Sequence, residues 1–304
     1  MVAISVVLAV YNGEDRIARS LESIASQSDT DFEAIIVDDG SVDATPRILH
    51  EFVARDSRFR ILTKRNEGLT RALIAGCREA RGRYIARHDC GDISHPGRFA
   101  AQRRILDDDP RVVLVSCGTS WVGPSGEPLY RTHADDGEVR TSLLNDDAKT
   151  IRGLSHHGSA MFRRSSYEAV GGYRPEFYFA QDLDLWIRLA AAGRIAFVDD
   201  DLYIAAIDTG AISSRHRREQ LEAARIAVAL RDAKTTDAEQ ALLAKAARIR
   251  PGRRPAGHEA DALYFIASCL RRNRDPRWRL YAREALGRSP WSPRVWSLFF
   301  RGGP

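Results

Sequence analysis

Cysteine is scarce in this chain, four in 304 residues, and Cys77, Cys90, Cys117 and Cys269 stand far apart with no Cys-x-x-Cys pair among them. That spacing argues against a zinc ribbon or a disulfide scaffold and favours a reducing compartment. Long apolar runs are also missing: none reaches the roughly 18 residues that a membrane-spanning helix requires. The apolar start, Val2 to Val10, has no basic leader before it and no small-residue cleavage site after it, so it reads as a first strand and a cytosolic protein is expected. No Gly-x-Gly-x-x-Gly follows that strand, which argues against a nicotinamide oxidoreductase. No internal repeat or low-complexity tract is present.

What the chain does have is an uneven charge. Its formal total is +5, yet from Lys245 onward 14 Lys and Arg face 4 Asp and Glu, a balance of +10, leaving −5 on the residues before. An acidic body with a basic C-terminal appendage is not a uniformly basic nucleic-acid binder, and no nucleic-acid motif accompanies the charge.

The first hundred residues alternate between two periods. Ile4 to Val10, Phe32 to Val37, Phe59 to Leu62 and Tyr84 to Ala86 are short apolar runs, the pattern of strands buried on both faces. Between them Ile17, Leu21 and Ile24, then Ile48, Leu49 and Phe52, then Leu69 to Ala80 recur at helical spacing. Strand–helix alternation with short connections predicts an α/β fold, a mostly parallel central sheet with helices on both faces. A fifth strand is expected at Val112 to Val115; beyond Gly118 the pattern weakens, and from Arg215 it is almost wholly helical.

In such sheets the site lies beyond the carboxyl ends of the strands, and three acidic features fall there. Asp38-Asp39-Gly40-Ser41 follows the second strand. Two adjacent carboxylates call for a donor-rich ligand or a cation, although a capped tight turn uses the same residues. Asp89-Cys90-Gly91-Asp92 follows the fourth strand, and carboxylates three apart on a loop can converge on Mg²⁺ or Mn²⁺. A capped turn ahead of Pro96 is the plainer reading. In Gln181-Asp182-Leu183-Asp184-Leu185-Trp186-Ile187-Arg188, Asp184 and Arg188 can pair on one helix face. Asp182 is left as a helix cap or as a general base facing a cleft.

Taken in order, Tyr11-Asn12-Gly13, Asp38-Asp39-Gly40-Ser41, Asn66-x-Gly68, the loop at Asp89, and Gln181-Asp182-x-Asp184-Leu185-Trp186 resemble the family 2 glycosyltransferases of GT-A fold, over about residues 3–213. Arg98 and Gln102 after the acidic loop, and Gly171-Gly172-Tyr173 before Gln181, fit as well. The resemblance implies an inverting transfer of a sugar from a nucleotide-sugar donor to an acceptor hydroxyl. Ala9, Tyr11, Asp38, Asp39, Asn66, Arg71 and Asp89 would bind the donor, Asp89 and Asp92 a divalent cation (Mg or Mn), and Asp182 would be the catalytic base. His157, Gln181 and Trp186 would contact acceptor or diphosphate. A glycan or lipid-linked acceptor and a role in cell-surface polysaccharide or glycolipid synthesis are implied too. A non-catalytic nucleotide-sugar or glycan-binding protein on the same fold is the competing reading.

The chain departs from that pattern in three places. Gly91 replaces the second carboxylate of an Asp-x-Asp loop. Leu73-Ile74 stands where Arg-Asn or Leu-Asn is usual. The 203–213 segment carries Ala206 and Asp208 in place of an Arg-x-His closing element, with Arg215, His216 and Arg217 as substitutes. The expected division is therefore a transferase domain at 1–213 and a basic helical region at 214–304. In the latter, Trp278, Tyr281, Trp291, Trp296, Phe299 and Phe300 alternate with arginines, a composition suited either to an anionic membrane interface or to a packed helical subdomain.

Overall fold

In the computed structural model, residues 2–207, 216–252 and 258–300 are described. Asp208, Ser213, Arg215 and the expected boundary at 213/214 lie outside them. Strands β1 (Ile4–Val10), β2 (Phe32–Asp38), β3 (Phe59–Thr63) and β4 (Tyr84–Asp89) alternate with helices α1 (Ile17–Ala25), α2 (Thr45–Val53) and α3 (Leu69–Arg78). These four strands are mutually parallel, in the order β3-β2-β1-β4.

The two-residue period of β1 explains why it is apolar apart from Ser5, whose hydroxyl donates to Glu33 at 2.7 Å. Ile4, Val6, Leu8 and Val10 face one way and pack with Ile17, Leu21 and Ile24 of α1 and Leu49 and Phe52 of α2. Val7, with Ile35 and Val37 of β2, faces the other way onto Ala72, Leu73 and Cys77 of α3. Strand β1 thus supplies two cores, and both of its faces are mostly apolar.

On the second side the helix comes close to the sheet. A Cβ on Gly76 of α3 would lie 2.6 Å from Val7 Cγ1 and 2.9 Å from Val37 Cγ2. Overpacking of this kind costs about 1–3 kcal/mol, so Gly76→Ala is expected to lose that much stability in urea denaturation, despite the better helix propensity of alanine.

The sheet continues through β5 (Ile93–Ser94), α4 (Arg98–Asp108), β6 (Val112–Val122), β7 (Pro128–Thr132), α5 (Asp136–Asn145), β8 (Met161–Arg163), α6 (Arg164–Ala169), α7 (Gln181–Ala192) and β9 (Arg194–Ala206). Strand β8 is antiparallel to β4 and β6, while β9 runs parallel to β6 and antiparallel to β5. The strand expected at Val112 to Val115 is thus β6, and it extends to Val122. Its apolar pattern fails because its polar side chains are paired inside the fold: Ser116 Oγ lies 2.7 Å from Ser159 Oγ, and Thr119 Oγ1 donates to Ser155 Oγ at 3.0 Å.

Among the described residues five helices follow, α8 (Arg217–Arg231), α9 (Thr236–Ala246), α10 (His258–Arg272), α11 (Trp278–Arg288) and α12 (Pro293–Phe300). Ala223, Ile226, Ala227 and Val228 of α8 join the same core as Leu185 and Leu189 of α7. Arg231 donates to the carbonyls of Leu143 and Asp146. Helix α10 lies on the β6–β7 hairpin, with Ile266, Cys269 and Leu270 around Leu129 and Asn273 Nδ2 donating to the Leu129 carbonyl at 2.8 Å. Among the described residues no helix is long and apolar enough to cross a membrane.

Candidate functional site

Parallel register brings the carboxyl ends of three strands level: Val10 pairs with Asp38, and Ala9 pairs with Asp89. A cavity of about 800 Å³ opens there, walled by Ala9, Tyr11, Asp39, Asn66, Asp89 and Asp92, and also by Arg16, Arg19, Tyr178 and His156. Tyr11 is 49% exposed at its mouth, free to lie against a planar ligand.

The adjacent aspartates already have internal partners, which answers the repulsion expected between them. Asp38 is buried and accepts the Ser41 N–H at 2.9 Å, so it holds the turn and does not reach the cavity. Asp39 accepts from Lys64 Nζ at 2.9 Å and from the Gly68 N–H at 2.8 Å, fixing the Lys64–Gly68 loop as the wall that presents Asn66. Burial pulls the Lys64 ammonium down, but its bonds to Glu67 and Asp39 outweigh that and hold its pKa up.

Asp89, Asp92 and His156 form the cavity's acidic corner. Their ligand atoms all lie within 4.8 Å of one another, a group that could hold a metal ion. His156 Nδ1 is 3.9 Å from Asp89 Oδ2 and 3.7 Å from Asp92 Oδ2. It accepts the Gly158 N–H at 3.0 Å, a bond that must open before Nδ1 can take a cation. Two carboxylates and an imidazole nitrogen are a donor set suited to Mn²⁺ or Mg²⁺, so the residues fit a divalent cation.

The corner is rigid. Arg87, wholly buried, donates to Asp89 Oδ1 at 2.6 Å. The Tyr203 hydroxyl accepts the Asp89 N–H at 3.1 Å and donates to Asp92 Oδ2 at 2.9 Å, while its ring stacks on His156 at 5.3 Å. Burial raises both carboxyls, yet the two diverge. Arg87 and the neighbouring histidines hold Asp89 low, whereas Asp92 stays high with Asp89's charge beside it. His156 and Tyr203 were not assigned roles from the sequence. They reach this corner only through the β8 region and β9, more than sixty residues away along the chain.

Asp182 sits in the first turn of α7, entered through Ala180 in the left-handed region at φ 56°. The Leu183 N–H donates to its Oδ1 at 2.8 Å. Burial pushes the Asp182 carboxyl above its ordinary range, and Asp89's charge adds to this while His156 opposes it. Asp184, as the spacing predicts, pairs with Arg188, and with Arg174 at 3.1 Å.

Asp182 is not among the residues that wall the cavity, and four other candidates are not brought to it either. His157 is buried, with Nε2 2.7 Å from the Tyr173 hydroxyl and Arg87 beside it, and burial pushes its pKa down to about 3. Trp186 packs in the core against Gly153, where a Cβ would lie 2.6 Å from its ring. Gln181 is buried at the helix start. Arg71 is exposed on α3 and stands off the cavity wall, near Glu67. All four cysteines are free, and burial pushes Cys77 and Cys90, the latter on the cavity wall, up to about 12.

Comparison with known proteins adds a family and a fold. The pattern described as Glycosyl transferase family 2 matches residues 5–171. A Bacillus subtilis (strain 168) protein named as a glycosyltransferase, EpsE, is 31% identical over 70% of this chain and 76% of its own length. Escherichia coli chondroitin synthase is 27% identical over 66% of this chain, which spans only 28% of that larger protein. Among solved structures, the mannosyltransferase PcManGT of Pyrobaculum calidifontis, in complex with GDP-Man and Mn²⁺, has a TM-score of 0.58. It is 20% identical, covering 98% of this chain and 85% of that one. Residues 1–349 of S. aureus TarS, in complex with UDP-GlcNAc, have a TM-score of 0.57 at 16% identity, covering 94% and 89%. At these identities the likeness establishes the GT-A fold.

Proposed function

The chain belongs to glycosyl transferase family 2, and from that premise we propose that it transfers a sugar from a nucleoside-diphosphate donor to an acceptor hydroxyl, with inversion at the anomeric carbon. The observation that carries this reading is the convergence of Asp89, Asp92 and His156 on one corner of the cavity at the strand ends. The cavity suits a nucleotide in volume and in chemistry: Tyr11 to cover the base, and Asp39 and Asn66 on the wall for base and ribose. The two solved neighbours that hold GDP-Man and UDP-GlcNAc support a nucleotide-sugar there.

Asp89, Asp92 and His156 would hold a divalent cation, Mg²⁺ or Mn²⁺, which when bound offsets charge on the departing diphosphate. Asp182 takes the proton from the acceptor hydroxyl as that oxygen attacks the anomeric carbon from the side opposite the diphosphate. A single displacement of this kind inverts the configuration. Arg87 and Tyr203 hold the two acidic-loop carboxylates in place. Screening nucleotide-sugars by thermal shift with Mn²⁺ tests the reading. A donor at 100 times its Kd stabilises by about 2.7 kcal/mol, and a clear rise in Tm is expected for one donor class. No rise with any nucleotide-sugar contradicts it.

We place the acceptor, a glycan or lipid-linked hydroxyl of cell-surface polysaccharide or glycolipid synthesis, at the inner face of a membrane. Helices α11 and α12 and the turn between them support this. Leu280, Trp291 and Phe300 are 69%, 91% and 77% exposed, among exposed Arg279, Arg283 and Arg294, and each basic residue near an anionic surface contributes about 1 kcal/mol. The protein is expected to co-sediment with phosphatidylglycerol vesicles and not with phosphatidylcholine vesicles. Trp291→Ala with Phe300→Ala should weaken that binding about tenfold or more, since each buries apolar area in the interface. Equal recovery with both lipids, or with neither, contradicts the placement.

A further inference from the structure

Gly91 is the residue that breaks the acidic loop, and the space its missing side chain leaves is filled by arginine. Its φ is +98°, and a Cβ built on it would lie 3.0 Å from Arg16 Cδ and 3.4 Å from Arg19 Nη2. Both arginines wall the same cavity as Asp89 and Asp92. Three residues apart at the start of α1, they share one helix face. The loop is tied to that helix by Ser20: the Gly91 N–H donates to Ser20 Oγ at 2.8 Å, and Ser20 Oγ donates to the Asp92 carbonyl at 2.9 Å. The register of arginines over loop is thus set by the backbone rather than by where two long side chains happen to lie.

At this position the loop offers no carboxylate, and two guanidinium groups stand beside it. Two positive charges next to Asp89 and Asp92 weaken a cation site. The same charges build an anion site. Planar guanidinium forks match phosphate oxygens two at a time, and the positive end of the α1 dipole adds to them. Resting on the donor-site reading above, we propose that Arg16 and Arg19 clamp the donor's diphosphate, so that a nucleoside diphosphate binds this protein without a divalent cation.

Titration calorimetry of the full chain with UDP and GDP, and with UMP and GMP as controls, in EDTA and in Mn²⁺, decides the matter. In EDTA a diphosphate is expected to bind within about tenfold of its affinity in Mn²⁺. Exposed Arg19 can be replaced without touching the core, and Arg19→Gln should weaken diphosphate binding in EDTA by about 10- to 100-fold, the worth of one charge-assisted contact. Arg16→Gln should act in the same direction, and monophosphate binding should change little in both variants. Binding by the parent only in Mn²⁺, or variants that bind diphosphate in EDTA as tightly as the parent, overturns the clamp and leaves the donor site standing. No nucleotide binding in either buffer overturns the donor site itself, and the clamp with it.

Discussion

Asp182→Asn is expected to lower sugar transfer by about 10²- to 10⁴-fold, the usual contribution of a positioned general base, while nucleoside-diphosphate binding is unchanged. The amide is isosteric and can still accept the Leu183 N–H bond that the carboxylate accepts at 2.8 Å, so helix α7 keeps its first turn. What disappears is the ability to take a proton. The same residue sets the acid limb of the rate. Burial holds the Asp182 pKa above its ordinary value, and only the deprotonated form is a base. Activity should therefore be full above that raised pKa and fall as pH drops through it, at a higher pH than the value near 4 of an unperturbed aspartate. In Asp182→Asn the residual rate should lose this limb. Steady-state assays across pH read both effects. Full activity in the variant, or an unchanged acid limb, removes Asp182 from the role of base.

Asp89 should matter twice, to chemistry and to the fold. It is one of three groups that converge on the candidate cation position, and it is also the carboxylate partner of Arg87, whose side chain is wholly buried. Removing one member of such a pair leaves an uncompensated charge, which typically costs 3–5 kcal/mol. Asp89→Ala is expected near about 3 kcal/mol, the low end of that range, because the carbonyls of Val7 and His88 still accept from Arg87. Arg87→Met together with Asp89→Ala should recover part of the lost stability, since the stranded charge is gone, but none of the activity. Urea denaturation of the two variants separates the contributions. A single variant as stable as the parent would show that Arg87 is satisfied without its partner.

The strands and helices of the first hundred residues are legible in the sequence because each strand there is buried on both faces and each helix on one, so period and composition agree. Asp39, Asp89 and Asp92 are legible as cavity residues because a parallel register must bring their loops together. Where the sequence falls short, the cause is physical in each case. Strand β6 hides beyond Gly118 because Ser116 and Thr119 are satisfied by Ser159 and Ser155, partners forty residues on. His156 and Tyr203 are invisible as a pair, since only the pairing of β5 with β9 sets Tyr203 over the acidic loop. Arg16 and Arg19 belong to no motif in the sequence, and only the space above Gly91 marks them. Conversely, His157 and Trp186 stand out by residue type and turn out to be packing, His157 against Tyr173 and Trp186 in the core.

Whether this fold catalyses or only binds is decided by turnover. The direct measurement is release of nucleoside diphosphate from a panel of nucleotide-sugars in Mn²⁺, with parent and Asp182→Asn protein side by side and a panel of glycan and lipid-linked acceptors present. One donor class should be turned over by the parent, with acceptor-dependent release lost in the variant. Nucleotide-sugar binding with no release from any donor, across all acceptors, would contradict glycosyl transfer and leave a binding protein on this fold.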